Sequence, residues 1–308
     1  MPDRERLTFT PVATEDYDRI YPFTSAFGEG SCQHSPVSMV SLAEKYGDSV
    51  CIRDGMLYTL RSRLCDENCR VYLAPLGAGD LGAAFGRIIA DAASYGKRAR
   101  FLTLTERTAD VLKGAFPDRF DYEEDRDLAE YIYRTEEMAA FSGGALRKRR
   151  AEVHTFWHSF GQRASITRIT SADFEECLAF EQKWLRDNLE THDRETLMRD
   201  AEVIDFQMAH FDALHLSGVI LRVDGVTHGF CYGTKLGDTY DVIVEKADRA
   251  VPHSYKVLRQ ESAKQCAADC LFVNMEEDLG VPGLRDLKNA YKPERLLRKL
   301  TATERERV

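Results

Sequence analysis

Residues 217–247, SGVILRVDGVTHGFCYGTKLGDTYDVIVEKA, carry the pattern that decides the predicted fold. Three runs rich in β-branched and aromatic residues lie within it, as expected for β-strands. An Asp-Gly pair at 224–225 and a Gly-Asp pair at 237–238 separate the runs, and both pairs favour tight hairpin turns. We therefore expect three antiparallel strands, followed by a helix over 253–270 and a strand over 271–277.

An earlier stretch, residues 48–116, repeats this order of elements. It is typical of strand, strand, strand, helix, strand and helix. Gly55 precedes Phe101 by 46 positions, and Gly225 precedes Phe272 by 47. Because residue identity between the stretches is almost absent, the duplication concerns the architecture and not the visible sequence.

Antiparallel hairpins followed by a helix and a further strand predict mixed α/β sheets and not a doubly wound parallel sheet. The order is similar to that of the GNAT acyltransferase fold, here present twice. We place the two GNAT-like domains at 1–150 and 151–308, because the segment between the repeats becomes helical after residues 143–144. A chain of 308 residues has the length of two ordinary domains.

Composition limits the partners and the location. The formal net charge of −9 argues against general nucleic-acid or anionic-membrane binding, and we expect no DNA partner. No apolar run reaches the ~18–20 residues that span a bilayer. The charged N-terminus lacks a signal-peptide pattern, so we expect a cytoplasmic protein. The eight cysteines lack zinc-ligand spacing, and we expect reduced structural thiols, no metal and no tightly bound cofactor.

The segment LGAGDLG, residues 76–82, places Gly77, Gly79 and Gly82 at the G-x-G-x-x-G spacing of dinucleotide-binding loops. It follows a predicted strand and opens a predicted helix, as that motif requires. Asp80 inside the loop would repel a pyrophosphate, and no further βαβ units follow. Three interpretations stay open: a tight structural turn, an anion or acyl-donor loop, and a loop for a nicotinamide or S-adenosylmethionine cofactor.

Three further segments carry motifs: DLAEYIYRTEEMAAFSGGALRKRRAEVHTF, DVIVEKADRAVPHSYKVL and FVNMEEDLGVPGLRDLKNAYKPERLL. The first joins Tyr-Ile-Tyr to a basic run, and the second contains Glu-Lys-Ala. The third reads Asn-x-Glu-x-Asp-x-Gly, then Gly-Leu-Arg, a lysine and Tyr-x-Pro. With the segment SAFGEGSCQHSP, they resemble the phosphatidylglycerol lysyltransferase C-terminal domain family over most of the chain.

That resemblance implies tandem GNAT-like domains, as in aminoacyl-tRNA-dependent transferases such as lipid lysyltransferases and Fem peptidyltransferases. The lipid enzymes also carry a membrane-embedded N-terminal half, for which this sequence shows no pattern. Three positions depart from the family motifs. Arg150 stands where the family has asparagine, His253 where it has glycine, and Gly144 where it has lysine.

Acyl transfer needs a group that takes the acceptor's proton, donors for the oxyanion, and contacts that position the donor. The catalytic candidates are the acids Glu245, Glu277 and Asp278. The candidates for substrate binding are Asn274, Glu276, Arg285, Lys288, Tyr291 and Tyr255. The candidates for a phosphate-bearing donor are Lys148, Arg149, Arg150 and Lys246. In the alternative interpretation, the acids and bases near the C-terminus only pair with one another and fix the turn.

The expected function is transfer of an acyl or aminoacyl group from CoA or tRNA to an amine or hydroxyl of a small molecule, peptide or lipid. A first alternative is a non-catalytic GNAT pair that binds a small anion or amino acid. The turn after Glu245 favours it, because that turn has no glycine and contains Pro252. A second alternative is an enzyme that binds NAD or S-adenosylmethionine at Gly77–Gly82.

Overall fold

Two compact units make up residues 6–189 and 193–306, which the computed structural model describes. Within them, unit 1 contains residues 6–130, 277–282 and 296–306. Unit 2 contains residues 131–189, 193–276 and 283–295. The predicted boundary at 150–151 separates the two sequence repeats and stays a prediction. Each compact unit, in contrast, is built from several separate segments of the chain.

The strands and helices follow the predicted order. The strands are β1 (Thr10–Pro11), β2 (Asp48–Arg53), β3 (Met56–Arg61), β4 (Cys69–Tyr72), β5 (Leu76–Gly77), β6 (Arg98–Leu104), β7 (Phe120–Glu124), β8 (Glu130–Arg134), β9 (Ala164–Arg168), β10 (Ser217–Val223), β11 (Val226–Leu236), β12 (Thr239–Ala247), β13 (Phe272–Asn274), β14 (Arg295–Leu297) and β15 (Leu300–Glu304). The α-helices are α1 (Tyr17–Phe27), α2 (Pro36–Ser41), α3 (Ala43–Tyr46), α4 (Leu81–Ser94), α5 (Glu106–Ala115), α6 (Thr135–Ala140), α7 (Arg147–Phe160), α8 (Phe174–Asn188), α9 (Arg194–Ala209), α10 (Ser254–Gln265) and α11 (Pro282–Ala290).

The sheet of unit 1 has the strand order β1-β2-β3-β4-β6-β15-β7, with β5 paired to β3. β4 and β6 run parallel, and β15 lies antiparallel between β6 and β7. Its core includes Tyr58, Tyr72, Phe85 and Phe101, all fully buried. Phe85 meets Phe101 edge to face at 5.0 Å between ring centroids. Burial of each such side chain contributes roughly 1.5–3 kcal/mol, so this cluster anchors α4 on the sheet.

The second sheet has the order β14-β8-β13-β12-β11-β10-β9. β12 and β13 run parallel, and their register ends where Asp241 meets Asn274. β12 continues to Ala247, so its last residues extend past the parallel ladder. The fold class, two mixed α/β sheets in a tandem GNAT-like arrangement, is confirmed.

A β-bulge in the middle of β12 sets which face each later residue occupies. Tyr232 pairs with Val244 and Gly233 pairs with Val242, so Ile243 is the extra residue. Gly233 is required here, because a Cβ at this position would overlap the carbonyl oxygen of Asp241. Since side chains alternate along a strand, one inserted residue reverses the faces of everything that follows.

Two element ends differ from the sequence prediction. The helix expected to reach residue 270 ends at Gln265, and the strand expected over 271–277 covers only Phe272–Asn274. Glu276 has φ of 56°, in the left-handed region, which stops the strand before the acidic run. All eight cysteines are free thiols. Among the described residues, no helix combines the length and the apolar character that crossing a bilayer requires.

Candidate active site

The end of β12 carries Glu245, which lies beside α10. Arg259 of α10 donates to Oε2 of Glu245 from Nε at 3.2 Å and from Nη2 at 2.6 Å. The two side chains are 10% and 7% exposed. Oε1 of Glu245 is buried and has no hydrogen-bond partner among the described residues. Because buried polar atoms are nearly always paired, this free oxygen marks a place where a ligand can donate a hydrogen bond.

The aromatic ring of Tyr291 lies against the guanidinium of Arg259. Its central carbon lies 4.4 Å from the centroid of the Tyr291 ring, and that of Arg149 lies 5.2 Å from the same centroid. Burial disfavours the charge of Arg259, but attraction to Glu245 outweighs burial and raises the pKa of Arg259. The arrangement therefore keeps a permanent cation next to Glu245.

Lys246, the next residue, points to α8 on the opposite face of the sheet. Its Nζ lies 3.3 Å from Oε1 of Glu181 and 3.6 Å from the centroid of the Trp184 ring. Trp184 Nε1 donates to the hydroxyl of Tyr255 at 3.1 Å. Glu181 is fully buried, and its Oε2 has no hydrogen-bond partner among the described residues. Each face of this strand end thus carries an ion pair with one unfilled carboxylate oxygen.

Sequence reasoning missed Glu181 and Trp184, because an acid within a helix usually faces water. A signal was present in α8. Cys177, Phe180, Leu185 and Asn188 recur at helical spacing along its buried face, and Glu181 falls within that stripe.

Glu277 lies in a buried polar network of unit 1. Its Oε1 accepts a hydrogen bond from Gln33 Nε2 at 2.7 Å and from the thiol of Cys32 at 3.4 Å. Lys299 Nζ lies 2.6 Å from Oε1 of Glu130. Burial, followed by repulsion from Glu130, raises the pKa of Glu277 and favours its neutral form.

Ligand atoms of Cys32, Glu130 and Glu277 lie within 4.8 Å of one another, a spacing that a metal ion can bridge. Lys299 already supplies a positive charge at Glu130 from a site that is 1% exposed. The two carboxyl groups can therefore be compensated by one ammonium and one bound proton. We assign no metal to this network.

The residues around the C-terminal turn hold its backbone. Asp278 pairs with Arg126 at 3.2 Å and accepts a hydrogen bond from the N–H of Gly280 at 3.0 Å. Lys288 Nζ donates to the carbonyl oxygen of Met275 at 2.5 Å. Asp278 belongs to unit 1 and Lys288 to unit 2.

The other predicted substrate residues of this segment lie in unit 2. Asn274 is fully buried and its Oδ1 accepts a hydrogen bond from the N–H of Glu276 at 2.8 Å. Arg285 lies on α11 and is half-buried. The structure thus gives Asn274 a backbone role at the end of β13.

The predicted donor-binding cations differ in what they contact. Arg149 pairs with Glu152 at 3.0 Å, and Arg150 donates to the carbonyl oxygens of Phe141 and Gly143. Lys148 is exposed at the start of α7 and has no side-chain partner among the described residues. Of these three, Lys148 alone makes no side-chain hydrogen bond or ion pair among the described residues.

The Gly77–Gly82 loop is closely packed. A Cβ at Gly77 would overlap the carbonyl oxygen of Gly55, and one at Gly82 would lie 3.2 Å from the Ala115 side chain. Asp80 caps α4 by accepting a hydrogen bond from the N–H of Ala83 at 2.9 Å. A carboxylate therefore occupies the position that a phosphate would need, which favours the structural-turn interpretation.

Solved structures of other proteins share this architecture. The conserved protein of unknown function from Bacteroides thetaiotaomicron is 28% identical, with a TM-score of 0.90 over 97% of this chain and 100% of that one. L-PGS from Bacillus licheniformis is 13% identical, with a TM-score of 0.65 over 96% of this chain and 93% of that one. FemX is 8% identical, with a TM-score of 0.59 over 96% and 97%. These last two likenesses concern the fold alone, and no curated protein matches the sequence.

The family model described as phosphatidylglycerol lysyltransferase, C-terminal, matches residues 28–303, nearly the whole chain. The predicted resemblance is confirmed, and membership supports acyl or aminoacyl transfer as the class of chemistry. The chain belongs to the phosphatidylglycerol lysyltransferase C-terminal family.

Proposed function

We propose that this protein transfers an aminoacyl group from a charged tRNA to an amine or hydroxyl acceptor. The observation that carries the proposal is the unfilled Oε1 of Glu245, buried at the end of β12 where the parallel ladder to β13 has stopped. The family is described by a lysyl transfer, which supports an aminoacyl donor.

In the proposed reaction, Oε1 of Glu245 accepts a proton from the acceptor as its nitrogen or oxygen attacks the ester carbonyl of the donor. The new amide or ester bond forms, the bond to the tRNA ribose oxygen breaks, and that oxygen takes up a proton. Arg259 keeps its positive charge throughout and holds Oε2 of Glu245, so that Oε1 faces the acceptor. A base placed in this way contributes typically 10²–10⁴-fold to the rate.

The turn after β12 favours tRNA over CoA as the donor. The N–H groups of Ala250, Val251 and Ser254 donate to acceptors inside the turn, and Pro252 has none. A CoA pyrophosphate would need such N–H groups free. Exposed cations at the start of α7, including Lys148, suit an RNA backbone instead.

The test is transfer of a radiolabelled amino acid from a set of charged tRNAs to mixed amine and hydroxyl acceptors. Glu245→Gln should lower the transfer rate by at least about 100-fold. Glu202→Gln, an exposed acid of α9, is the matched control and should leave the rate unchanged. Transfer from acetyl-CoA but from no charged tRNA would overturn the choice of donor, and no transfer from either would overturn the proposal.

A second candidate function is binding of a small anion or amino acid without turnover. The turn after β12 favours it, because three of its N–H groups already donate within the turn and Pro252 has none, which leaves few donors for a donor phosphate. Binding of a free amino acid combined with no transfer from any donor would support this candidate. The third possibility, a nucleotide-cofactor enzyme, is disfavoured because Asp80 caps the helix at the glycine loop.

A further inference from the structure

We propose that Glu181, Lys246 and Trp184 form a binding site for the head of an α-amino acid. The ammonium of the ligand donates to Oε2 of Glu181, and its carbonyl oxygen accepts from Nζ of Lys246. The inference goes beyond the proposed function, because the ligand in question is a free amino acid or its amide and not the aminoacyl group that reacts beside Glu245. The proposed site lies on the face of β12 opposite Glu245.

Unused hydrogen-bonding capacity is the first argument. An ammonium can donate three hydrogen bonds, and Lys246 makes one, at 3.3 Å to Glu181, among the described residues. Oε2 of Glu181 accepts none there, although the residue is fully buried. A buried polar atom without a partner destabilises the protein, so a ligand that donates a hydrogen bond to it gains affinity.

The unused donor of Lys246 and the unused acceptor of Glu181 together define the chemistry of the ligand. A free donor on Lys246 and a free acceptor on Glu181 belong to side chains already in contact. The ligand must therefore carry an acceptor and a charged donor on neighbouring atoms. An α-amino acid, its ester and its amide all meet that condition, whereas an N-acylated amino acid or an acyl thioester lacks the charged donor.

The surrounding charges favour a cation. Burial raises the pKa of Glu181, and repulsion from Asp200 and Asp205 of α9 raises it further. The single ammonium of Lys246 lowers it. The region thus has more negative than positive charge, which an incoming ammonium would balance. Attraction of this kind is strong where water is excluded.

Trp184 supplies an apolar wall and a route of access. Its ring is half-buried, and the side chain of Lys246 retains 11% exposure. Because Lys246 is partly exposed and Glu181 is fully buried, a ligand from solvent reaches the ammonium before the carboxylate. The indole N–H is held by the hydroxyl of Tyr255, which fixes the orientation of the ring.

The experiment titrates alaninamide, free alanine and N-acetylalaninamide into the protein and follows heat or tryptophan fluorescence. Alaninamide and alanine should bind, and N-acetylalaninamide should bind at least tenfold more weakly. Glu181→Gln should weaken alaninamide binding at least tenfold, whereas Glu175→Gln, an exposed acid on the same helix, should not. Lys246→Met should weaken the binding of alanine, whose carboxylate is charged, more than the binding of alaninamide.

Three results would overturn the inference: no binding at millimolar ligand, which means that water alone fills the site; equal binding of the acetylated ligand; or equal effects of the Glu181 and Glu175 substitutions. Thermal unfolding of each variant shows whether it is folded, and Lys246→Gln replaces Lys246→Met if the latter is not. The charged-tRNA assay separates the two proposals. Transfer without the predicted ligand preference overturns this inference alone, and binding without any transfer overturns the proposed function alone.

Discussion

Nη2 of Arg259 lies 2.6 Å from Oε2 of Glu245, and the other oxygen of that carboxylate has no hydrogen-bond partner among the described residues. Both side chains are about nine-tenths buried, so removal of either leaves an uncompensated buried charge. Arg259→Met should lower the free energy of unfolding by about 3–5 kcal/mol, measured by urea denaturation. The double variant Glu245→Gln/Arg259→Met should lose less, because no buried charge remains alone. Equal losses in the single and double variants would contradict this account.

Asp48 gives stability a dependence on pH. It lies 3.4 Å from Arg61, yet burial outweighs that attraction and raises the pKa of Asp48 from 3.8 to about 6. Between these two pH values the folded state keeps a proton that the unfolded state has lost. The contribution of Asp48 is therefore fully present below pH 3.8, falls as pH rises to about 6, and amounts to about 3 kcal/mol.

In Asp48→Asn, the free energy of unfolding should lose the decrease between pH 3.8 and about 6 that Asp48 causes in the wild type. Chemical denaturation at several pH values between about 4 and about 7 measures it, as the difference between wild type and variant. The exposed Asp212 provides the control, and Asp212→Asn should retain the wild-type profile. Parallel profiles for wild type and Asp48→Asn would show that the group titrates normally.

Binding of alaninamide should depend on pH through Glu181. Burial, opposed by Lys246, raises the pKa of Glu181, and only its ionised form attracts an ammonium. Affinity should therefore increase as pH rises through the pKa of Glu181 and decrease again once the ligand's own amine loses its proton. Calorimetry at a series of pH values measures this, and a flat profile in Glu181→Gln is the expected counterpart.

Gly233→Ala should strongly destabilise the protein, because the added methyl group would overlap the backbone of Asp241 at the bulge. The expected loss is about 3 kcal/mol or more, since neither backbone can shift without breaking the β11–β12 ladder. Gly144→Ala is the matched control, because a Cβ there meets no atom within 4 Å. A loss of less than 1 kcal/mol in Gly233→Ala, by thermal or urea unfolding, would show that the bulge is not rigid.

Arg147 and Lys148 should contribute to tRNA binding through charge. Both are exposed in the first turn of α7, where the helix dipole already disfavours cations, and neither has a side-chain partner among the described residues. Replacing both with glutamine should reduce the slope of log affinity against log salt by roughly 1.4–1.8. Filter binding across a salt series measures the slope, and Arg63→Gln, an exposed cation of unit 1, should leave it unchanged.

The order of elements could be predicted because its signals are local. The pairs at 224–225 and 237–238 specify their turns within a few residues, and the structure has β10, β11 and β12 there. The bulge at Ile243 could not be predicted in this way. The bulge depends on how closely Gly233 of the neighbouring strand approaches Asp241. The order of residues within β12 does not indicate that approach.

The candidate site was only partly predictable for a similar reason. Glu245 could be named because it ends a strand whose position in the sheet follows from the order of elements. Its partner Arg259 lies 14 residues away and Glu181 lies 65 residues from Lys246, so both pairings arise from packing. The surroundings of Glu277 are more distant still, since Gln33 is 244 residues away.

β15 places residues 300–304 between β6 and β7, in the interior of the sheet of unit 1. During translation, β6 and β7 leave the ribosome long before this strand is made. Until it arrives, both strands present open edges, which readily pair with other chains. A chain released before residues 300–304 are made would thus keep an aggregation-prone gap in this sheet, and the codons for β15 decide whether the first unit can close.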